Sequence, residues 1–141
     1  MIFKLIKSII CIVFIGAVLF GCNNFTGEAY TAARDYLKQK SVTPDSVNII
    51  GFYELDKRDS ITAAWIEWDQ RNTFNANIRQ RGLIYVDTTH RVILHSDECK
   101  FMEIQSDQIK LIYNSNDKFK NYVDLGFEMA QLRRKFAFHG K

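Results

Sequence analysis

Four successive segments between residues 47 and 95 are rich in β-branched and aromatic residues, and turn-forming residues separate them. Segments of this kind, bounded by polar clusters, are typical of β-strands. The predicted strands are residues 47–55, 61–69, 74–87 and 91–95, with a hairpin loop at 56–60 and a turn at 87–90. The pattern therefore predicts an antiparallel meander of about four strands.

The second predicted strand is apolar on both sides. One side carries Ala64, Ile66 and Trp68, and the other carries Ala63, Trp65 and Glu67. Alternate residues of a strand point to opposite faces of the sheet. At most one of the two tryptophans can therefore line any single pocket, and we interpret both as core residues.

The third predicted strand begins with alternating apolar and polar residues, which indicates one solvated face. Its apolar positions are Phe74, Ala76 and Ile78, and its polar positions are Asn75, Asn77, Arg79 and Arg81. We interpret the polar ridge as a solvated strand face, with a partner-docking surface as the alternative. The pattern breaks at residues 80–82, which predicts a bulge or bend near Gly82.

Helices are predicted on both sides of the strand region. Residues 28–40 place Ala29, Ala33, Tyr36 and Leu37 on one face, and the helix must end before Pro44. Residues 117–136 place Phe119, Val123, Phe127 and Ala130 on one stripe, joined by Tyr122 and Met129. Gly126 costs this helix about 1 kcal/mol relative to alanine, so we expect a close packing contact there. Residues 96–113 carry no clear pattern.

Together these elements predict an α+β domain, with an N-terminal helix on an antiparallel sheet and a C-terminal helix. The order resembles the cystatin and NTF2-like class, in which a helix packs across a curved sheet. Residues 36–87 also resemble small bacterial domains of unknown function, which have a Pro-Ser turn after a helix and a Lys-Asn-x-Phe-Gly element at a hairpin. Here Arg71 replaces the lysine of this element and Asn75 replaces its glycine.

The N-terminus has the layout of a secretory signal. Lys4 and Lys7 precede an apolar run over residues 9–21. These 13 residues would extend about 20 Å as a helix, whereas a bilayer core needs about 30 Å. The run is too short to span a membrane comfortably.

The run ends in Leu19-Phe20-Gly21-Cys22, which resembles the lipobox of bacterial lipoproteins. Phe20 departs from the pattern, since the residue at this position is usually smaller. The resemblance implies a diacylglyceryl group on the Cys22 thiol, cleavage before Cys22, and further acylation, for example with palmitate. Asn23, where aspartate would favour inner-membrane retention in enteric bacteria, implies the outer membrane. The alternative is an uncleaved signal-anchor.

On this interpretation, residues 1–21 are a signal peptide, 22–27 a lipidated tether and 28–141 a single α+β domain. The chain has 19 basic and 16 acidic residues, and only Lys4 and Lys7 are lost with the signal, so the mature protein carries 17 basic residues and a net charge of about +1. Nucleic-acid-binding domains usually show a strongly basic face, so we expect no nucleic-acid partner. Cys99 would be the only ordinary thiol, which excludes an internal disulfide.

No catalytic, cofactor or metal signature stands out. The metal-ligand types His90, His95, Asp97, Glu98 and Cys99 lie close in sequence, but their spacing matches no zinc motif. A polar loop is the simpler interpretation. A nucleophilic Cys99 would need a nearby cation, such as His95 or Lys100, to lower its pKa. The cluster at residues 133–135 could meet anionic lipid headgroups or form a solvated helix end.

The sequence therefore predicts a lipid-anchored protein of the bacterial cell envelope, possessing no predicted enzymatic activity, that binds another protein or an envelope component. An immunity or inhibitor lipoprotein against an exported toxin fits the size and the anchoring. One alternative is an NTF2-like hydrolase or isomerase with a site on the concave sheet face, and another is a structural tether that binds no ligand.

Overall fold

The computed structural model describes residues 25–96 and 108–139, with side chains up to Ala137. The predicted signal peptide and Cys22 lie outside these residues, as do Asp97, Glu98 and Cys99. The helices are α1 (Glu28–Lys40), α2 (Ile109–Ser115) and α3 (Asp117–His139), with a 3-10 turn at Pro44–Ser46. The strands are β1 (Asn48–Arg58), β2 (Ile61–Arg71), β3 (Asn77–Asp87) and β4 (Val92–Ser96).

The four strands form one antiparallel sheet in the order β1-β2-β3-β4. This confirms the predicted α+β class and the meander. The β1–β2 connection is shorter than predicted, because β1 continues to Arg58. Only Asp59 and Ser60 form the turn, and both have positive φ (47° and 64°). A two-residue turn needs positive φ at both residues for its twist to match that of the flanking strands.

Helices pack against both faces of the sheet, and this layering gives the domain two cores. On one face α1 contributes Ala32, Ala33 and Leu37, which pack with Phe52, Ala64, Ile66, Trp68, Ile84 and Val86. On the other face α2 and α3 contribute Ile109, Tyr113, Phe119, Val123, Phe127 and Ala130, which pack with Ile61, Ala63, Trp65, Leu83, Tyr85 and Leu94. The two tryptophans are buried on opposite faces, as predicted.

Gly126 makes the close contact that its position in a helix predicts. A Cβ atom at this residue would overlap the phenol ring of Tyr85 on β3. The Tyr85 hydroxyl donates a hydrogen bond to the carbonyl of Val123, at 2.9 Å, on the same helix. The glycine therefore lets α3 approach the sheet closely enough for this bond.

Of the bulge or bend predicted near Gly82, a bulge between β2 and β3 is not found. The register between β2 and β3 is continuous from Ile61 opposite Asp87 to Arg71 opposite Asn77. The absence of a side chain instead serves β4, because a Cβ atom at Gly82 would lie 2.6 Å from the carbonyl oxygen of Ser96. The glycine marks a close approach of two backbones, which is the other common role of glycine in a strand.

Candidate binding surface at a hairpin tip

The turn between β2 and β3 holds Phe74 out in solvent. The strand predicted from Phe74 begins only at Asn77. The side-chain oxygen of Asn72 accepts hydrogen bonds from the backbone N–H groups of Phe74 and Ala76, both at 3.0 Å. Asn75 takes a positive φ of 62°, which asparagine tolerates better than most residues. The Phe74 side chain is consequently 88% exposed.

A second turn, which follows α1, is hydrogen-bonded to this hairpin. The Thr43 hydroxyl donates to the carbonyl of Arg71 at 2.7 Å, and the Arg71 N–H donates to the Ser46 hydroxyl at 2.9 Å. Val42, beside this turn, is also exposed. We call residues 42–46 and 71–77 the hairpin tip. An open groove of about 590 Å³ lies between its two turns.

Ion pairs between β2 and β3 continue from the hairpin tip along one sheet face. Arg79 donates two hydrogen bonds to the Asp69 carboxylate, at 2.9 and 3.1 Å. Arg81 pairs with Glu67 at 3.0 Å, and Glu67 is only 5% exposed. The polar ridge predicted from the sequence is therefore solvated at Asn77 and Arg79 and becomes a paired, largely buried site at Arg81.

The Asp69–Arg79 pair makes stability depend on pH. Hydrogen bonds from Arg79 lower the pKa of Asp69 from its ordinary value of 3.8, although partial burial raises it. A carboxylate with a lowered folded-state pKa contributes stability above its unfolded pKa and loses that contribution as the pH falls through the folded pKa. We therefore expect Asp69→Asn to be less stable than the parent at pH 7, with a flatter decline in stability below pH 4. Urea unfolding at several pH values measures the stability of both proteins. If the stability of Asp69→Asn falls with pH in parallel with that of the parent, the pair does not have this role.

The two histidines of the sequence cluster lie in different surroundings. His90 is in the β3–β4 turn, exposed, with its Nε2 atom 3.7 Å from a Glu28 oxygen. His95 is on β4, where its ring packs 5.6 Å from the rings of Tyr36 and Trp68. Within residues 25–96 and 108–139, no three His, Cys, Asp or Glu side chains are placed to share a metal ion.

The cations near the C-terminus brace the fold. Arg134 donates to the carbonyl of Asp59 at 2.8 Å, and Arg133 donates to the carbonyl of Ile93 at 3.4 Å. Both bonds tie α3 to the turn side of the sheet. These two arginines are therefore partly engaged by the protein itself and less available for lipid headgroups.

A groove of about 1020 Å³ runs along α1 beside the β3–β4 turn and is open to solvent. Acidic Glu28 and Asp35 and basic Lys40 and Arg91 line it together with small apolar residues. Because charges of both signs line the groove and its walls are shallow, its lining indicates no particular class of ligand.

No family model, curated protein or solved structure matches this chain. In the part of the chain that the structure describes, no helix combines the length and the apolar character that crossing a bilayer requires.

The resemblance of residues 71–75 to a hairpin element implies a turn here, but the strand pattern did not predict an exposed surface. It counted Phe74 as an inward-facing strand residue, because Phe74, Ala76 and Ile78 alternate with polar neighbours. The signal that could have revealed the turn is the pair of asparagines around it, Asn72 and Asn75. Asparagine is favoured in turns because its side chain bonds to nearby backbone N–H groups.

Proposed function

We propose that this protein is a bacterial envelope lipoprotein, held on the membrane by a lipid on Cys22, whose domain binds another protein through the hairpin tip. The lipobox-like end of the N-terminal apolar run supports the anchor. The observation that carries the binding site is the exposed ring of Phe74 on a turn fixed by hydrogen bonds.

The chemistry of the hairpin tip suits recognition of a protein surface. Aromatic and arginine side chains dominate the binding energy of protein interfaces, and Phe74 lies three residues after the exposed Arg71, the last residue of β2. The backbone around Phe74 is already fixed, so binding would cost little conformational entropy. The adjoining groove, with Thr43 and Ser46 on one wall, could receive polar groups of the partner.

The position of the hairpin tip is compatible with attachment at Cys22. Phe25 packs against Tyr30 and borders a pocket with Phe52, which pairs with Ile66 in the middle of β2. The hairpin tip begins five residues farther along β2, about 17 Å away at the usual rise of a strand. The point where the chain joins the domain is thus separate from the proposed binding surface.

The alternative, an NTF2-like hydrolase or isomerase, has less support. Helices pack on both faces of the sheet, and the Glu67 carboxylate is held in an ion pair with Arg81. General acid–base chemistry needs a group whose pKa lies near the working pH. Among the described residues, burial raises the pKa values of Asp56, Asp69 and Asp87, but hydrogen bonds to these carboxylates outweigh it and lower the pKa values, which keeps the three groups charged.

Capture of partners from native envelopes tests the proposed surface. The lipidated protein is purified from its own cells as the parent and as Phe74→Ala, Phe74→Tyr and Leu111→Ala. We expect the amount of a stoichiometric partner captured by Phe74→Ala to fall at least about 30-fold, the size of a hot-spot effect. Phe74→Tyr should capture nearly as much as the parent. Leu111 is an exposed apolar residue on α2, away from the tip, so its variant is the matched control.

Quantitative mass spectrometry of the captured proteins gives the result. Equal recovery of the same partner by the parent and by Phe74→Ala would show that the hairpin tip is not the binding surface. Because Phe74 is exposed, all four proteins are expected to have the same circular dichroism spectrum.

A further inference from the structure

Helix α3 carries a second apolar stripe that faces solvent. Leu125, Met129, Leu132 and Phe136 are 53, 43, 52 and 74% exposed. They account for four of the seven large apolar side chains that are exposed in the described residues. Isolated exposed apolar residues are normal, but a continuous row of them on one helix calls for an explanation.

This exposed stripe is separate from the core stripe of the same helix. Phe119, Val123, Phe127 and Ala130 are at most 2% exposed. At about 100° per residue, the centres of the two stripes lie roughly 140° apart around the helix. The sequence prediction that Met129 joins the core stripe is therefore wrong, because Met129 falls within the arc of the exposed one.

The spacing within the exposed stripe is that of a helix-pairing seam. The four residues follow one another at intervals of four, three and four, which are the intervals between the apolar positions of a heptad repeat. Met129 and Phe136 then occupy the a positions, and Leu125 and Leu132 occupy the d positions. Two such stripes can pack against each other with side chains interleaved.

The charges beside the stripe fit a second copy of the same helix. Glu128 lies on one flank at a g position, and Lys135 lies seven residues later on the same flank. Arg133 lies on the other flank at an e position, where one of its N–H groups donates to the carbonyl of Ile93 and the others stay available. In a parallel pair, Glu128 faces Arg133 of the second copy, since g and e positions meet. In an antiparallel pair, g positions meet each other, and Glu128 faces Lys135. Either direction places opposite charges together, twice by symmetry.

An anionic bilayer fits these flanks less well. A helix that lies on a lipid surface carries cations beside its apolar face, as Arg133 and Lys135 do here, but the exposed Glu128 also borders this stripe and would be repelled by anionic headgroups. The stripe also lies away from the hairpin tip. The C-terminal part of α3 adjoins the β1–β2 turn, where Arg134 bonds to the carbonyl of Asp59, at the opposite end of β2 from Phe74.

We infer that the protein forms a homodimer in which the exposed stripe of α3 packs against the same stripe of a second copy, flanked by ion pairs from Glu128. The hairpin tip of each copy stays accessible in this dimer. The inference rests on α3 alone and is independent of the proposed partner.

Sedimentation equilibrium of the full chain, purified in a density-matched non-ionic detergent, tests the dimer. We expect a monomer–dimer equilibrium whose dissociation constant rises at least about 100-fold in Leu132→Glu, because a carboxylate is buried in the seam. Glu128→Arg should raise it about 10-fold through like charges across the pair. Leu111→Glu places the same charge on α2 outside the stripe and should leave the constant unchanged.

A charge exchange keeps the test decisive if Leu132→Glu fails to fold. Copies with Glu128→Arg are mixed with copies carrying both Arg133→Glu and Lys135→Glu, all of them exposed positions. Mixed dimers should form more tightly than either variant does alone. A monomer at all concentrations, or no preference for mixed dimers, would overturn the inference.

Discussion

Phe119→Ala is expected to lower the free energy of unfolding by about 3–5 kcal/mol, the usual cost of truncating a buried phenylalanine. Phe119 is fully buried near the start of α3. Its ring meets those of Trp65 on β2 and Tyr113 on α2 edge to face, with centroids 6.1 and 6.2 Å apart. Alanine would leave a cavity where two helices meet the sheet. Urea unfolding followed by circular dichroism measures the loss.

Phe74→Ala is the matched control for this loss, since it removes the same side chain from the hairpin tip. Phe74 is almost fully exposed, so the free energy of unfolding should change by less than about 0.5 kcal/mol. Phe119→Ala thus tests the stability of the domain, whereas Phe74→Ala changes the proposed binding surface without changing that stability. An equal loss in both would mean that Phe74 packs into the domain, and the hairpin tip could no longer be a preformed surface.

The sequence predicted those elements whose burial follows a regular period. Helix α1 ends where Pro44 requires, and the core stripe of α3 is buried as the spacing of Phe119, Val123, Phe127 and Ala130 indicates. The two faces of β2 were separable because alternate residues must point to opposite sides. In each case one local pattern and the need to bury apolar surface give the same answer.

The candidate surface was not predictable, because its decisive interactions join distant parts of the chain. Thr43 and Ser46 bond to Arg71 across more than twenty residues, and no local pattern records such a contact. Phe74 also continues the alternation of β3, so period alone assigns it to the strand. The Asn72 side chain decides otherwise by binding the backbone of the turn.

A similar ambiguity of local pattern concerns Gly82 and Met129. A glycine in a strand indicates either a bulge or a close backbone approach, and only the position of Ser96 on β4 decides between them. Met129 fits the edge of a helical core stripe by sequence. Its exposure depends on how far around α3 the sheet extends, which is a property of the assembled domain.

Cys22→Ser is expected to abolish lipid attachment altogether. Each acyl methylene buried in the bilayer contributes about 0.8 kcal/mol to the binding free energy. One acyl chain therefore binds a protein only marginally, whereas two or more hold it durably. Serine lacks the thiol that carries the diacylglyceryl group in lipoproteins, so the variant should incorporate no labelled palmitate. It should also keep its signal segment, because cleavage in this class follows lipidation. Metabolic labelling and intact mass measure both effects.

Cys11→Ser is the matched control, because it makes the same substitution within the apolar run of residues 9–21. That variant should be labelled and cleaved like the parent. If Cys22→Ser has the same mobility and membrane retention as the parent, the segment acts as an uncleaved signal-anchor. A parent protein whose mass equals that of the bare 141-residue polypeptide would likewise remove the lipid from the proposal. The hairpin tip and the stripe of α3 would then remain to be tested without an anchor at Cys22.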